Sequence, residues 1–135
     1  MRLRTKKTIK KSASPRPKLP RVSEETKRIA ALLETEVLTW PGVTSRPMFG
    51  LAGLYRTRKI FAVLPRTRAM DARDSIAFRL PRHSNQITAE LHRDKRIVTP
   101  TPDAKWISFV INSDRDIHDA LNWLALAYRE AAKKK

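Results

Sequence analysis

The feature that most constrains this chain is a change in the rhythm of its apolar residues. From Ser23 to Trp40, and again from Ser113 to Tyr128, apolar side chains return every three or four positions; between Val43 and Asn112 they return towards every second one. The first spacing lines one stripe of a helix and the second lines one face of a strand. A chain that runs helix, several strands, helix does not supply the alternating units of a doubly wound parallel sheet. It predicts an α+β fold, an antiparallel β-sheet of about five strands flanked by an N-terminal and a C-terminal helix.

Local signals set the predicted boundaries. Ser23 followed by Glu24 and Glu25 reads as a helix cap with acids in the first turn, Ile29, Leu32, Leu33, Val37 and Trp40 form the core stripe, and Pro41-Gly42 ends it. Ile76, Phe78 and Leu80 alternate with Ser75, Ala77 and Arg79, a strand with one wet face. Ile60 to Leu64 is apolar on both parities and reads as a more central strand. Trp106 to Ile111 places Ile107, Phe109 and Ile111 on one side and Trp106 and Val110 on the other. Short strands also fit Val43 to Met48, Gly53 to Arg56 and Arg96 to Thr99, and Ile87 and Leu91 suit a short helix within His83 to Arg93. Ser113, with Asp116 at capping-box spacing, is predicted to cap the last helix, whose stripe is Ile117, Ala120, Leu121, Leu124, Ala127 and Tyr128.

Charge divides the chain differently. The net charge is +16 over 135 residues, a surplus that favours polyanionic partners. Residues 1–21 carry Arg2, Arg4, Lys6, Lys7, Lys10, Lys11, Arg16, Lys18 and Arg21 with no acid and almost no bulky apolar side chain, so a disordered basic tail is expected there. The domain is expected over 22–132, with a basic end at 133–135. The tail lacks the apolar core of a secretion signal, and its prolines spoil an amphipathic targeting helix. Cysteine is absent, which removes disulfides, thiolate nucleophiles and cysteine-ligated zinc and suits the reducing cytoplasm.

Catalytic patterns are missing. His83, His92 and His118 are scattered, without paired metal spacing or a nucleophile elbow, so no catalytic residue, metal or cofactor is expected. Asp71 and Asp74 lie three apart in one loop, but a calcium site needs more oxygen ligands and a glycine turn.

The stretch 46–82 is different, because Arg46, Arg56, Arg58, Lys59, Arg66, Arg68, Arg73, Arg79 and Arg82 face only Asp71 and Asp74. Guanidinium groups fork onto phosphate and stack on bases in ways ammonium groups do not. If Arg46, Arg56, Arg58, Lys59, Arg66, Arg68 and Arg79 gather on the wet face or rim of the sheet, they form a footprint for nucleic acid, with Lys6, Lys7, Lys10 and Lys11 as an electrostatic anchor. A solvated sheet face is the plain alternative. Gly50 and Gly53 make a GxxG string, but its extended flanks exclude the helix-joining loop of a KH domain and no Walker lysine follows. They are expected to give positive φ or a bulge where a strand turns beneath Phe49 and Tyr55.

The runs "RPMFG" and "GLYR", with the following "KIFAVLP", resemble the TfoX N-terminal domain superfamily, related to MmcQ/YjbR-like domains. Met48-Phe49-Gly50, Gly53-Leu54-Tyr55 and Lys59-Ile60-Phe61-Ala62 stand where that family has its Met-Phe-Gly corner and next two strands, and "SIAFRL", "WISFVI" and "ALNWLALAY" resemble its later elements. The resemblance spans about residues 23–131. It implies a small α+β domain, an association with competence regulation or DNA binding, and no catalytic residues. The chain departs from the pattern in lacking the hairpin glycine at "YRTRKI", in a long "PRTRAMDARDS" loop and in its basic tail. Two functions are therefore expected. The first is a non-enzymatic cytoplasmic domain that binds DNA or RNA through phosphate with little sequence preference, in a regulatory role. The second is a protein-interaction or small anionic ligand-binding module, with a groove beside Met48 and Phe49 and a tail that serves solubility or localisation.

Overall fold

The structure, a computed structural model, describes residues 22–68, 74–82, 84–99 and 104–132. The basic tail with Lys6, Lys7, Lys10 and Lys11, the basic end at 133–135, Asp71, Arg73 and His83 lie outside the described residues. Helix α1 (Glu24–Val37) leads into strands β1 (Val43–Met48), β2 (Leu51–Arg56), β3 (Lys59–Pro65) and β4 (Ser75–Arg79). Helix α2 (Asn85–Arg93), strands β5 (Ile97–Val98) and β6 (Trp106–Val110), and helix α3 (Asp116–Ala131) complete it. The strands form one six-stranded antiparallel sheet in the order β1-β2-β3-β4-β6-β5. The class is the expected α+β, and β3 lies inside the sheet. None of the helices is long and apolar enough to cross a membrane, among the described residues.

All three helices pack on the same face of the sheet. Ile29, Leu33 and Val37 of α1, Leu91 of α2, and Ala120, Trp123, Leu124 and Ala127 of α3 are buried against Leu54, Phe61, Leu64, Ile76, Phe78, Ile107 and Phe109. Removing this much aliphatic and aromatic surface from water is what orders the layers. Ser23 caps α1 as predicted, its hydroxyl accepting from the Thr26 amide. The Asp74 carboxylate also reaches this helix start, accepting from the hydroxyls of Ser23 (3.0 Å) and Thr26 (2.8 Å), where a negative charge is favoured. Asp74 therefore serves as a clasp between loop and helix.

Four expectations need correction. Leu32 is 49% exposed, because the buried ridge of α1 runs through Thr26, Ile29, Ala30, Leu33 and Val37 and leaves Leu32 at its side. Ser113 does not cap α3, whose cap position is Arg115 with no side-chain bond. A turn precedes the helix, and the Asp116 carboxylate reaches back to accept from the amides of Asn112 (2.7 Å) and Ser113 (3.2 Å). The acid of the supposed box thus fastens the turn ahead of the helix, and the helix start has no side-chain cap. The second face of β4 is not uniformly wet, since Ser75 and Ala77 are buried. Leu51, Val63 and Ala77 form a small second cluster there, with Met48 and Ile60 packed against it.

The fourth concerns the glycines. Phe49 (φ 53°) and Gly50 (φ 81°) form the two-residue link between β1 and β2, both in the left-handed region. This is the primed hairpin geometry that matches strand twist. Gly50 behaves as predicted, but Gly53 lies within β2 and makes neither turn nor bulge. A Cβ there would stand 2.9 Å from the Met48 Sδ and 3.3 Å from the Tyr55 ring. Its missing side chain lets those neighbours close over it. The register irregularity falls on β3 instead, where Leu54 pairs with Ala62 and Tyr55 with Ile60, so Phe61 is the extra residue.

Candidate nucleic-acid interface

Strand alternation and register decide which cations share a face. Leu54 and Arg56 have the same parity, and Leu54 is in the helix-side core, so Arg56 also points towards the helices. Its guanidinium lies 4.0 Å from the Tyr128 ring centroid and donates to the Tyr128 carbonyl at 3.1 Å. Tyr128 packs edge-on against Trp40 and Phe61 and donates its hydroxyl to the Pro41 carbonyl. Arg56 thus closes the C-terminal turn of α3, where a cation is favoured. Arg66 likewise donates to Glu34 of α1 at 2.7 Å and to the Ser45 hydroxyl at 3.3 Å. Both arginines tie the sheet to its helices.

The opposite parity faces away from the helices. Arg46 pairs with Gly53, Gly53 with Val63, Val63 with Ala77, and Ala77 with Ser108. In the neighbouring rows Thr44 pairs with Tyr55, Tyr55 with Ile60, and Arg79 with Trp106. Arg46, Tyr55, Arg79 and Trp106 therefore share one face of the sheet. The Arg46 guanidinium lies 5.1 Å from the Tyr55 ring centroid, and Trp106 is 36% exposed. No helix among the described residues covers this face.

The same antiparallel order gathers further cations at one end of the sheet. The β2–β3 turn holds Arg58 beside Lys59; β4 leaves through Arg79 towards Arg82; β6 begins at Lys105 and Trp106. Arg58, Lys59, Arg82 and Lys105 are exposed. Arg68 is at the other end, where the Gly50 carbonyl accepts from the amides of Arg66, Thr67 and Arg68. That clasp holds the β1–β2 hairpin tip, at which Phe49 is 87% exposed with a positive φ. A bulky residue in the left-handed region costs about 1–3 kcal/mol and needs support from its surroundings.

Of the predicted site residues, the structure places Arg46 and Arg79 on the face away from the helices and Arg58 and Lys59 at one end of the sheet, where Lys59 pairs with Arg56 across the β2–β3 ladder; Arg56 and Arg66 are bound to the helices, and Arg68 is at the other end. Arg82, Lys105 and Trp106, which charge and periodicity do not place in the footprint, are exposed near the same end of the sheet. Parity was the available signal for Trp106, because it alternates with Ile107 and Phe109 of the core. Met48, Phe49, Gly50, Gly53 and Tyr55 do form one corner, and two clefts lie away from it. One of about 780 Å³ opens between α2 and α3, lined by Ile87, Glu90, Arg93, Lys95, Trp123 and Leu126 among others.

Beside this cleft an ion cluster closes the structure. Arg96 donates to Asp94 (2.9 Å), Asp116 (2.8 Å) and Asp119 (2.8 Å) and stacks 4.6 Å from the Phe109 ring centroid. The hydrogen bond from Arg96 holds the Asp94 carboxyl below the usual carboxylate range. Burial pushes the Asp116 carboxyl up, but the Asn112 amide, the Arg96 guanidinium and the Ser113 amide outweigh it and hold that group low as well. Arg96 keeps its proton more tightly than a free guanidinium, chiefly through Asp94. With every partner satisfied, this cluster pins β5 to α3. Among the described residues no group of three histidines or carboxylates is arranged to hold a metal. Compared with protein-family models, with curated proteins and with solved structures, the chain has no match in any of the three.

Proposed function

We propose that this protein is a non-enzymatic, cytoplasmic nucleic-acid-binding domain with little sequence preference and a regulatory role. The observation that carries the reading is the division of the arginines between the two faces. Arg56 and Arg66 are held by α3 and α1, while Arg46 and Arg79 share the face without helices, beside exposed cations at one sheet end. Planar cations on a face that no described helix covers suit phosphate contacts, which set affinity more than sequence. The basic tail adds long-range attraction. The likeness of the Met48 to Tyr55 stretch to TfoX N-terminal domains agrees with such a role, and membership of that superfamily is part of the proposal.

Binding of the full chain to oligonucleotides across a salt series tests this. Log K should fall steeply with log salt, and alanine at Lys6, Lys7, Lys10 and Lys11 should flatten the slope, since each lost phosphate contact changes it by about 0.7–0.9. No affinity at low salt would refute the reading. A second reading, an anionic small-ligand module, is favoured by the cleft between α2 and α3, with Arg93, Lys95 and Arg129 among its cations and Ile87 and Leu126 among its apolar residues. A thermal shift with anionic metabolites that alanine at Arg93 and Arg129 abolishes would support it.

A further inference from the structure

We propose that the sheet face selects single-stranded nucleic acid, with bases stacked on Tyr55 and Trp106 and the flanking phosphates held by Arg46 and Arg79. The inference rests on the nucleic-acid reading above and adds the form of the strand. Shape argues first. Five strand spacings of about 4.8 Å make the sheet roughly 24 Å across, whereas a major groove about 12 Å wide admits only a helix or a two-stranded ribbon. The sheet cannot enter a duplex groove, and all three helices lie behind it.

The side chains argue second. Tyr55 and Trp106 stand on the same face and near the same end, on strands separated by β3 and β4. Three spacings put them ~14 Å apart, so they would take different bases of one strand. Bases offer their ring faces to such a platform only when unpaired. The Arg46 guanidinium, 5.1 Å from the Tyr55 ring centroid, places a fork for phosphate next to the first ring. Arg79, paired with Trp106 across the β4–β6 ladder, places a fork for phosphate next to the second ring. Between the rings stand Ile60, beside Tyr55, and Arg79, beside Trp106, with buried Val63 and Ala77 one row further in.

Anisotropy titrations of the full chain with a labelled thymidine 20-mer and a labelled 20-base-pair duplex, at one ionic strength, test the proposal. The single strand should bind at least about tenfold more tightly. Trp106→Ala should weaken single-strand binding by about 5- to 150-fold, the range for losing one stacked base, and change duplex binding little. Trp106→Phe should keep most of the affinity, while tryptophan quenching by the strand should fall relative to the parent. Tyr55→Leu gives a second, independent loss if Trp106→Ala fails to fold. Equal affinity for the two forms, or no response to Trp106→Ala and Tyr55→Leu, overturns stacking and leaves the broader reading standing. So does inorganic polyphosphate competing as well as the thymidine strand. Absence of binding to every polyanion at low salt overturns both.

Discussion

The two faces of the sheet are built from the same alternating strands and meet different surroundings. Towards the helices, large side chains such as Phe61, Phe78, Phe109 and Leu64 are fully buried, and even the arginines are drawn into intramolecular bonds. Away from them, the cluster is small, with Leu51, Val63 and Ala77 at its centre, and Arg46, Arg79, Tyr55 and Trp106 stand around it. The contrast teaches that arginine count says little about function until parity is known. A cation whose strand neighbours are core residues is recruited to hold the fold; one on the opposite parity stays on the face away from the helices.

The largest expected effect lies on the helix side. Phe78→Ala removes a fully buried ring stacked on Trp123 (centroids 5.5 Å apart) and should lower the unfolding free energy by about 3–5 kcal/mol in a urea titration. Val63→Ala, in the small cluster of the other face, should cost about 1 kcal/mol. Similar losses at both sites would break the contrast between a deep core and a thin one.

Arg96→Met should cost about 2–3 kcal/mol, because it strands Asp94 and Asp116 without their shared partner. Both carboxyls have folded pKa values below the unfolded value of about 3.9. Their contribution is therefore complete above about pH 4 and disappears as the pH falls through the folded values. Urea midpoints measured down the acid range should fall more steeply for the parent than for Arg96→Met, and matching profiles would contradict the cluster's role.

Much of the helix side was legible in the sequence. The i, i+4 ridge of Ile29, Leu33 and Val37 and the Ser23 cap follow from local chemistry that the tertiary structure respects. Ser113 misled because serine three residues before aspartate satisfies the box pattern, whereas the extra turn lets Asp116 take the amides itself. The open face was less legible. Charge alone assigns Arg56 to the footprint, whereas its parity with buried Leu54 turns it towards the helices. The convergence of Arg58, Arg79, Arg82 and Lys105 depends on strand order, which local periodicity does not encode.

An effect as small as that of Val63→Ala, but of opposite sign, belongs to the hairpin tip. Phe49→Asn should raise stability by about 1 kcal/mol, since asparagine accepts the left-handed conformation that Phe49 is forced into. A loss of stability would mean that the exposed ring is supported by packing after all.

The division between the faces is tested most directly by removing the same charge from each. Two full-length variants, Arg46→Ala with Arg79→Ala and Arg56→Ala with Arg66→Ala, lose two positive charges apiece and are titrated with the same thymidine strand at the same salt. The open-face pair should weaken binding by about tenfold or more, the worth of one charged hydrogen bond, with its urea midpoint little changed. The helix-face pair should lower the midpoint and hold affinity within about threefold of the parent, the small residue of lost long-range attraction. Equal losses of affinity in both variants, or a greater loss from the helix-face pair, would contradict the account.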